Sequence, residues 1–256
     1  RVESGLYGPF AVAANAVTEL TLPVDVCVVA VKAMQLAAAL ERVPKDGLGD
    51  AIVVPFLNGV DHVDVLRHHY GPAVVAGTLR VAATRTAPGL IEHYSPFVRA
   101  ELALTDELPV EHRETALRFG RRLEAAGVEV DVRDDALTML WGKLIFLCPL
   151  ALLTTRYGID AGTVRTTHRG EMVAVIHEIA VVAHAVGARL SPSAAVDFFD
   201  SVPETMQSSM QHDAVAGNPL ELDAIGGAVL RASARTGIPT PITQRLVGEL
   251  GGVPKG

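Results

Sequence analysis

The pattern of the chain changes once, near residue 133, and that change sets what it can fold into. Upstream, β-rich apolar runs alternate with helical stretches. Val26-Cys27-Val28-Val29-Ala30-Val31 is a continuous apolar run, as expected for a strand buried on both faces of a parallel sheet. Ala33 to Val43 reads as a helix and Pro44 to Asp50 as a turn. Ala51-Ile52-Val53-Val54 reads as a second buried strand, ended by Pro55, which lacks a ladder donor. Val63 to His69 is predicted as a short helix and Ala73 to Thr78 as a third strand. From Leu79 to Thr105 strands and turns are expected, with Ala87-Pro88-Gly89 turning between two of them. His112 to Ala126 is an amphipathic helix that stops near Gly127, and Val128 to Val132 alternates as a last strand.

Beyond Asp135 the β signal disappears. Leu137 to Thr155 (with Pro149 as a candidate kink), Gly170 to Val186, Pro192 to Phe199 and Leu222 to Arg235 are predicted helices. In the second of these, Met172, Val175, Ile176, Ile179, Val182, Ala183 and Val186 recur at the spacing of one buried face. Ser191-Pro192 supplies an N-cap followed by proline at the first helical position. The expected organisation is a nucleotide-binding-type α/β domain over residues 1–133 and a helical domain over 134–256.

Composition excludes several classes. At 256 residues and 49% hydrophobic, the chain can bury a large core and is not disordered. A net charge of −7, with no basic stripe, argues against nucleic acid as a partner. Cys27 and Cys148 both sit in apolar runs and read as buried thiols of a reducing cytoplasm, without a disulfide or metal role. The longest apolar run, Leu144 to Leu153, is too short to span a bilayer, and no signal peptide is visible, so no membrane partner is expected. His177 and His184 lie two helical turns apart, roughly 10 Å, too far to share one ion, and no metal is assigned.

The chemistry-bearing stretch is Met139-Leu140-Trp141-Gly142-Lys143-Leu144-Ile145-Phe146-Leu147-Cys148, one lysine on an otherwise apolar helix. Such a lysine must reach water, pair with an acid or face a cleft. Further on, Glu221 is a carboxylate set into a second apolar helical pattern. A lysine and a glutamate delivered by two helices can form a proton-donating site; the plainer reading is a snorkelling lysine and a solvated helix-end carboxylate. Asn58 and Lys32 each follow a predicted strand, where open α/β sheets bind ligands. An Asn-Gly turn and a surface lysine are their alternatives. The G-x-G-x-x-G turn of a dinucleotide-binding domain is absent: the one G-x-G, Gly47-Leu48-Gly49, precedes a strand and reads as a turn.

In order and spacing, several motifs together resemble the ketopantoate reductase (2-dehydropantoate 2-reductase) family over nearly the whole chain. They are Val31-Lys32-Ala33-Met34-Gln35, Leu57-Asn58-Gly59-Val60, Trp141-Gly142-Lys143, and Glu178 ahead of Ala183-His184-Ala185-Val186-Gly187. Ser208-Ser209-Met210-Gln211-His212-Asp213, Glu221-Leu222-Asp223-Ala224-Ile225-Gly226-Gly227 and Gly237-Ile238-Pro239-Thr240-Pro241 complete the set. The resemblance implies a Rossmann-type NADP-binding domain, incomplete here because the glycine fingerprint is expected ahead of Arg1, and an all-α domain of the 6-phosphogluconate-dehydrogenase-like type. It also implies NADPH-dependent reduction of a 2-oxo acid or related ketone, in the cytoplasm, with a homodimer as a compatible assembly. Lys143 would be the proton donor and Glu221 would sit in the cleft against cofactor or substrate. Ser208 and Ser209 would bind substrate, a helix cap being their plainer reading. Asn58 would serve substrate and nicotinamide, and Lys32 and Ala83 the cofactor. Where pantoate-forming members carry asparagines, this chain has Leu147, Ala151, Met206 and, near a fourth such position, Ala161. At roughly 1 kcal/mol per lost hydrogen bond, three or four losses weaken a pantoate-like fit by about 10² to 10³-fold. The competing expectation is an inactive family member or fragment serving as a binding or oligomerisation module.

Overall fold

The computed structural model describes residues 1–251, and the chain divides into two compact units. The first comprises Arg1–Val31, Gln35–Leu57 and His62–Ala136. The second comprises Lys32–Met34, Asn58–Asp61 and, of the described residues, those from Leu137 to Gly251. Two short segments that follow strands of the first unit are therefore counted, by their contacts, with the second.

The first unit is α/β. Its elements in chain order are β1 (Val2–Ser4), β2 (Val26–Val29), α1 (Leu36–Arg42), α2 (Lys45–Leu48), β3 (Ile52–Pro55), α3 (His62–Tyr70), β4 (Gly77–Arg80), β5 (Ala83–Ala87), β6 (Leu90–His93), β7 (Arg99–Ala103), α4 (Val110–Ala125) and β8 (Glu129–Arg133). β2 and β3 pair in parallel, Val26 opposite Ile52 and Val29 opposite Pro55, joined by a helical crossover as parallel strands require. Every residue of β3 is buried, which is why its sequence is a continuous apolar run. Pro55 closes β3 from inside the strand.

The predicted third strand divides in two. Val74 bridges Val53 of β3, and Val75 N–H donates to the Val53 carbonyl at 2.9 Å. From Gly77 the chain, now β4, runs antiparallel to β7, and β7 runs parallel to β8. β5 and β6 form a hairpin around the expected Pro88-Gly89 turn, and β1 pairs in parallel with β6. Ile52, Val54, Val75, Leu102, Leu104, Leu108 and Ala116 form the core. Glu101 is buried on β7 and shared by three donors: Thr78 Oγ1 at 2.9 Å, Arg80 Nη1 at 2.7 Å and Arg133 Nε at 3.0 Å.

The second unit is helical: α5 (Ala136–Tyr157), α6 (Ala161–Thr167), α7 (Arg169–Ala185), α8 (Pro192–Ser201), α9 (Ser209–Val215), a π-helical turn (Asp223–Gly227) running into α10 (Ala228–Thr236), and α11 (Pro241–Gly251). α5 continues through Pro149 without a break. At 22 residues it is long and apolar enough, by length and composition, to cross a bilayer, which corrects the expectation drawn from Leu144 to Leu153 alone. Most of it is buried among its neighbours, as in the core helix of a folded domain. The core gathers Trp141, Leu144, Cys148, Leu152 and Leu153 of α5 with Met172, Val175, Ile176 and Ile179 of α7 and Phe199 of α8.

Side chains cap the helix starts. Asp160 accepts from Thr163 N–H at 2.8 Å for α6, and Ser191 from Ala194 N–H at 3.2 Å for α8. α11 is capped from outside by Glu178 of α7, whose carboxylate accepts from Ile242 N–H at 2.8 Å, Thr243 N–H at 2.9 Å and Thr243 Oγ1 at 2.7 Å. Cys148 is buried and Cys27 only partly so; burial pushes both thiols up.

Candidate functional site

The site is built in the second unit around Glu221, which is 7% exposed. A carboxylate that far out of water needs donors on both oxygens. Oε1 accepts from the backbone N–H of Ala33 at 3.1 Å, and Oε2 accepts from the Asn58 side-chain amide at 3.0 Å. Both donors come from the two short segments that follow β2 and β3, although 188 and 163 residues separate them from Glu221. The same segment places Lys32, whose ammonium donates to Asp213 Oδ1 at 2.6 Å. The Lys32–Met34 segment thus meets two carboxylates, Asp213 as counter-ion of Lys32 and Glu221 through the neutral Ala33 N–H.

Two local devices allow this approach. Gly59 has φ +87°, a left-handed conformation that favours glycine, and a Cβ there would lie 3.1 Å from the Ala224 carbonyl carbon and nearer still to its oxygen. The Asn58-Gly59 turn is therefore seated directly on the π-turn. The π-turn itself begins two residues after Glu221, and the predicted regular helix from Leu222 to Arg235 is corrected accordingly. One-turn π insertions are frequent at functional sites, where they shift the face a side chain presents. Gly226 sits where any Cβ would overlap Val247 of α11, so the close packing of π-turn and α11 depends on it.

Lys143 is half-buried on α5, between buried Trp141 and Leu144. One and two turns further along, where polar residues are absent, stand half-buried Leu147 and fully buried Ala151. Met206 is half-buried too, and its carbonyl accepts from Ala161 N–H at 2.9 Å.

The adjacent serines part company. Ser208 is the N-cap of α9, 3% exposed; its Oγ accepts from Gln211 N–H at 3.1 Å and lies 2.9 Å from Thr154 Oγ1. Thr154 spends its own proton on the Leu150 carbonyl at 2.7 Å, so Ser208 donates to Thr154. Ser208 is thus the buried cap of α9, the plainer of the two readings given for it above, and its hydroxyl is engaged as both donor and acceptor. Ser209, the first residue of α9, is exposed. Ala83 opens β5 in the first unit and is exposed. The structure brings Lys32, Asn58 and Glu221 together as direct or near neighbours, and it adds Asp213, Asp61, Asp223 and Arg231, to which sequence reasoning gave no role. Arg231 donates to Asp61 Oδ2 through Nε at 3.0 Å and Nη2 at 2.7 Å. Its Nη1 reaches Asp223 Oδ1 at 2.6 Å. Among the described residues no cluster of histidine, cysteine or carboxylate side chains could hold a metal ion.

An α/β unit with a parallel β2–β3 pair, followed by a helical unit that carries a buried glutamate and a half-buried lysine, is an architecture of the Rossmann-plus-helical class. The ketopantoate reductase PanE/ApbA profile matches residues 3–102, and the ketopantoate reductase PanE/ApbA C-terminal profile matches residues 135–253. The 2-dehydropantoate 2-reductase of Mycobacterium tuberculosis is 30% identical over 238 residues, 90% of this chain and 76% of that one. The 2-dehydropantoate 2-reductase structure from Methylococcus capsulatus superposes with a TM-score of 0.83 at 24% identity, covering 98% of this chain and 82% of that one. D-mandelate dehydrogenase, solved with NADH and anilino(oxo)acetate, superposes with a TM-score of 0.80 at 21% identity, covering 91% and 77%. The chain belongs to the ketopantoate reductase family and is an oxidoreductase of the 2-dehydropantoate 2-reductase type.

Proposed function

We propose that the protein reduces the keto group of a 2-oxo acid with NADPH, and that Lys143 is the proton donor. The observation that carries the reading is the buried Glu221 carboxylate held by Ala33 N–H and the Asn58 amide. A folded chain keeps such a group only where its donors are built in, and an acid so placed is a functional-site candidate.

The residues present fit the nicotinamide end of a dinucleotide. An ammonium has three N–H donors and a primary amide two, so Lys32 and Asn58 each retain donor capacity beyond Asp213 and Glu221. Both follow strand ends, where open α/β sheets bind nucleotides. Ala83 is proposed on the cofactor side as well. NADPH, when bound, supplies a hydride equivalent. Lys143 then gives its Nζ proton to the carbonyl oxygen as negative charge develops there, stabilises that charge beforehand, and is reprotonated from water. Ser209, with an exposed hydroxyl, is proposed to donate to the substrate carboxylate, and Glu221 to orient substrate and offset the lysine charge.

Leu147, Ala151 and Met206 favour an apolar substituent beside the keto group over a polyhydroxylated one. The inactive-module reading is not favoured, because Lys143, Asn58, Ser209 and Glu221 are all retained.

The test is initial-rate NADPH oxidation across a panel of 2-oxo acids. Lys143→Ala is expected to lower kcat by about 10² to 10⁴-fold while NADPH affinity, read by fluorescence titration, stays nearly constant. Lys143→Arg should not restore the rate, since a guanidinium holds its proton. A Lys143→Ala enzyme with most of its kcat would show that the lysine only borders the site.

A further inference from the structure

We infer that Arg231 is a positioning residue for Glu221, an inference that rests on the reductase reading above. Arg231 forms a four-bond fork: Nε and Nη2 donate to Asp61 Oδ2, Nη1 to Asp223 Oδ1, and Nη2 also to the Asp223 carbonyl at 2.9 Å. Asp61 ends the short segment that carries Asn58, and Asp223 opens the π-turn just after Glu221. Arg231 therefore ties, from outside, the two pieces of backbone whose side chains meet in the Asn58–Glu221 bond.

Three observations converge on a positioning role. Gly59 lets its loop come close to the Ala224 carbonyl, but that close approach by itself supplies no attraction; the guanidinium does. Arg231 also takes a main-chain carbonyl in the segment where regular helical spacing is broken, and a π-turn persists only where its surroundings hold it. Gly227 leaves room for the fork: a Cβ there would lie 2.8 Å from Asp223 Oδ1 and 3.1 Å from Arg231 Nη1. The side chains of Arg231, Asp61 and Asp223 are 40%, 35% and 88% exposed, so these ion pairs contribute little to stability. What the fork contributes is placement, and its planar geometry is one that a lysine cannot reproduce.

Two measurements decide. In a double-mutant cycle, Arg231→Met should lower kcat/KM by about tenfold in the otherwise native protein and by less than about twofold in an Asn58→Ala background, with Arg231→Lys intermediate. Independently of activity, amide exchange at Ala33, whose N–H is bonded to Glu221, should speed up by about tenfold in Arg231→Met while amides of α7 are unchanged. Additive effects in the cycle, or unchanged exchange at Ala33, would overturn the inference. If the native protein oxidises NADPH with none of the 2-oxo acids, the reductase reading fails and the exchange measurement alone decides the role of Arg231.

Discussion

Gly59→Ala concentrates the structural argument in one methyl group. The new Cβ would lie 3.1 Å from the Ala224 carbonyl carbon and inside contact distance of its oxygen, at a φ of +87°. The left-handed backbone alone costs a non-glycine residue about 1–2 kcal/mol. The overlap is with backbone, so no side chain can rotate away, and the Asn58–Asp61 segment must retreat by about 1 Å, a misplacement that can cost about 10² in rate. That retreat lengthens the 3.0 Å Asn58–Glu221 bond beyond hydrogen-bonding range. The expected result is a loss of about 2 kcal/mol, lowering Tm by roughly 4–8 °C, and a kcat/KM about 10²-fold lower. Gly217→Ala is the control: its φ is +69°, in the same helical unit, yet its Cβ would meet nothing within 4 Å. It carries the backbone strain without the contact, so it should lose stability but little activity. Should Gly59→Ala match Gly217→Ala in kcat/KM, the seating of this turn on the π-turn would have no part in holding Glu221.

Burial opposes the ionisation of Glu101, but Arg80, Thr78 and Arg133 together outweigh it and hold its carboxyl below the usual range. Its contribution to stability is therefore complete above the unfolded-state pKa, about 4.3, and is lost as pH falls through the lower folded value. Urea unfolding of Glu101→Gln should show reduced stability at neutral pH and a flatter acid limb, whereas an unchanged pH dependence would deny Glu101 that role. Glu178→Ala removes three hydrogen bonds to the start of α11 and should destabilise the helical unit by about 2–4 kcal/mol by thermal unfolding; a loss under about 0.5 kcal/mol would mean that water replaces the cap. Because Leu147, Ala151 and Met206 stand where, by the family resemblance, pantoate-forming members carry asparagines, kcat/KM should be higher for an apolar 2-oxo acid than for ketopantoate, and the opposite ranking in steady-state assays would refute this.

Where one physical rule dominated, sequence and structure agree closely. β3 and α7 were legible because burial on both faces, or on one stripe, leaves a period in the sequence. Ser191 was legible as a cap because a side-chain acceptor followed by proline has few other uses. The Ala73 to Thr78 stretch misled because it serves two partners in turn, and an apolar run does not record which strand it pairs with. The π-turn was hidden for a similar reason: a helix with one extra residue keeps its composition, and only Gly226-Gly227 hinted at close packing. Ser208 and Ser209 differ by one position, and only the cap geometry tells the buried hydroxyl from the exposed one. Asp213 and Arg231 escaped because their partners, Lys32 and Asp61, are 181 and 170 residues away and no periodicity links them.

The π-turn also means that the direction in which Glu221 points depends on a residue count. Each residue advances a helix by about 100°, so the extra residue between Asp223 and Gly227 gives Glu221 an angular phase relative to α10 that a regular helix of the same composition would not have. Wound as a regular α-helix with no residue removed, the same segment would carry the carboxylate about 100° off the Ala33 and Asn58 donors, even with every side chain of the site still present. The direction of the carboxylate thus rests on how this segment winds as well as on which residues it contains.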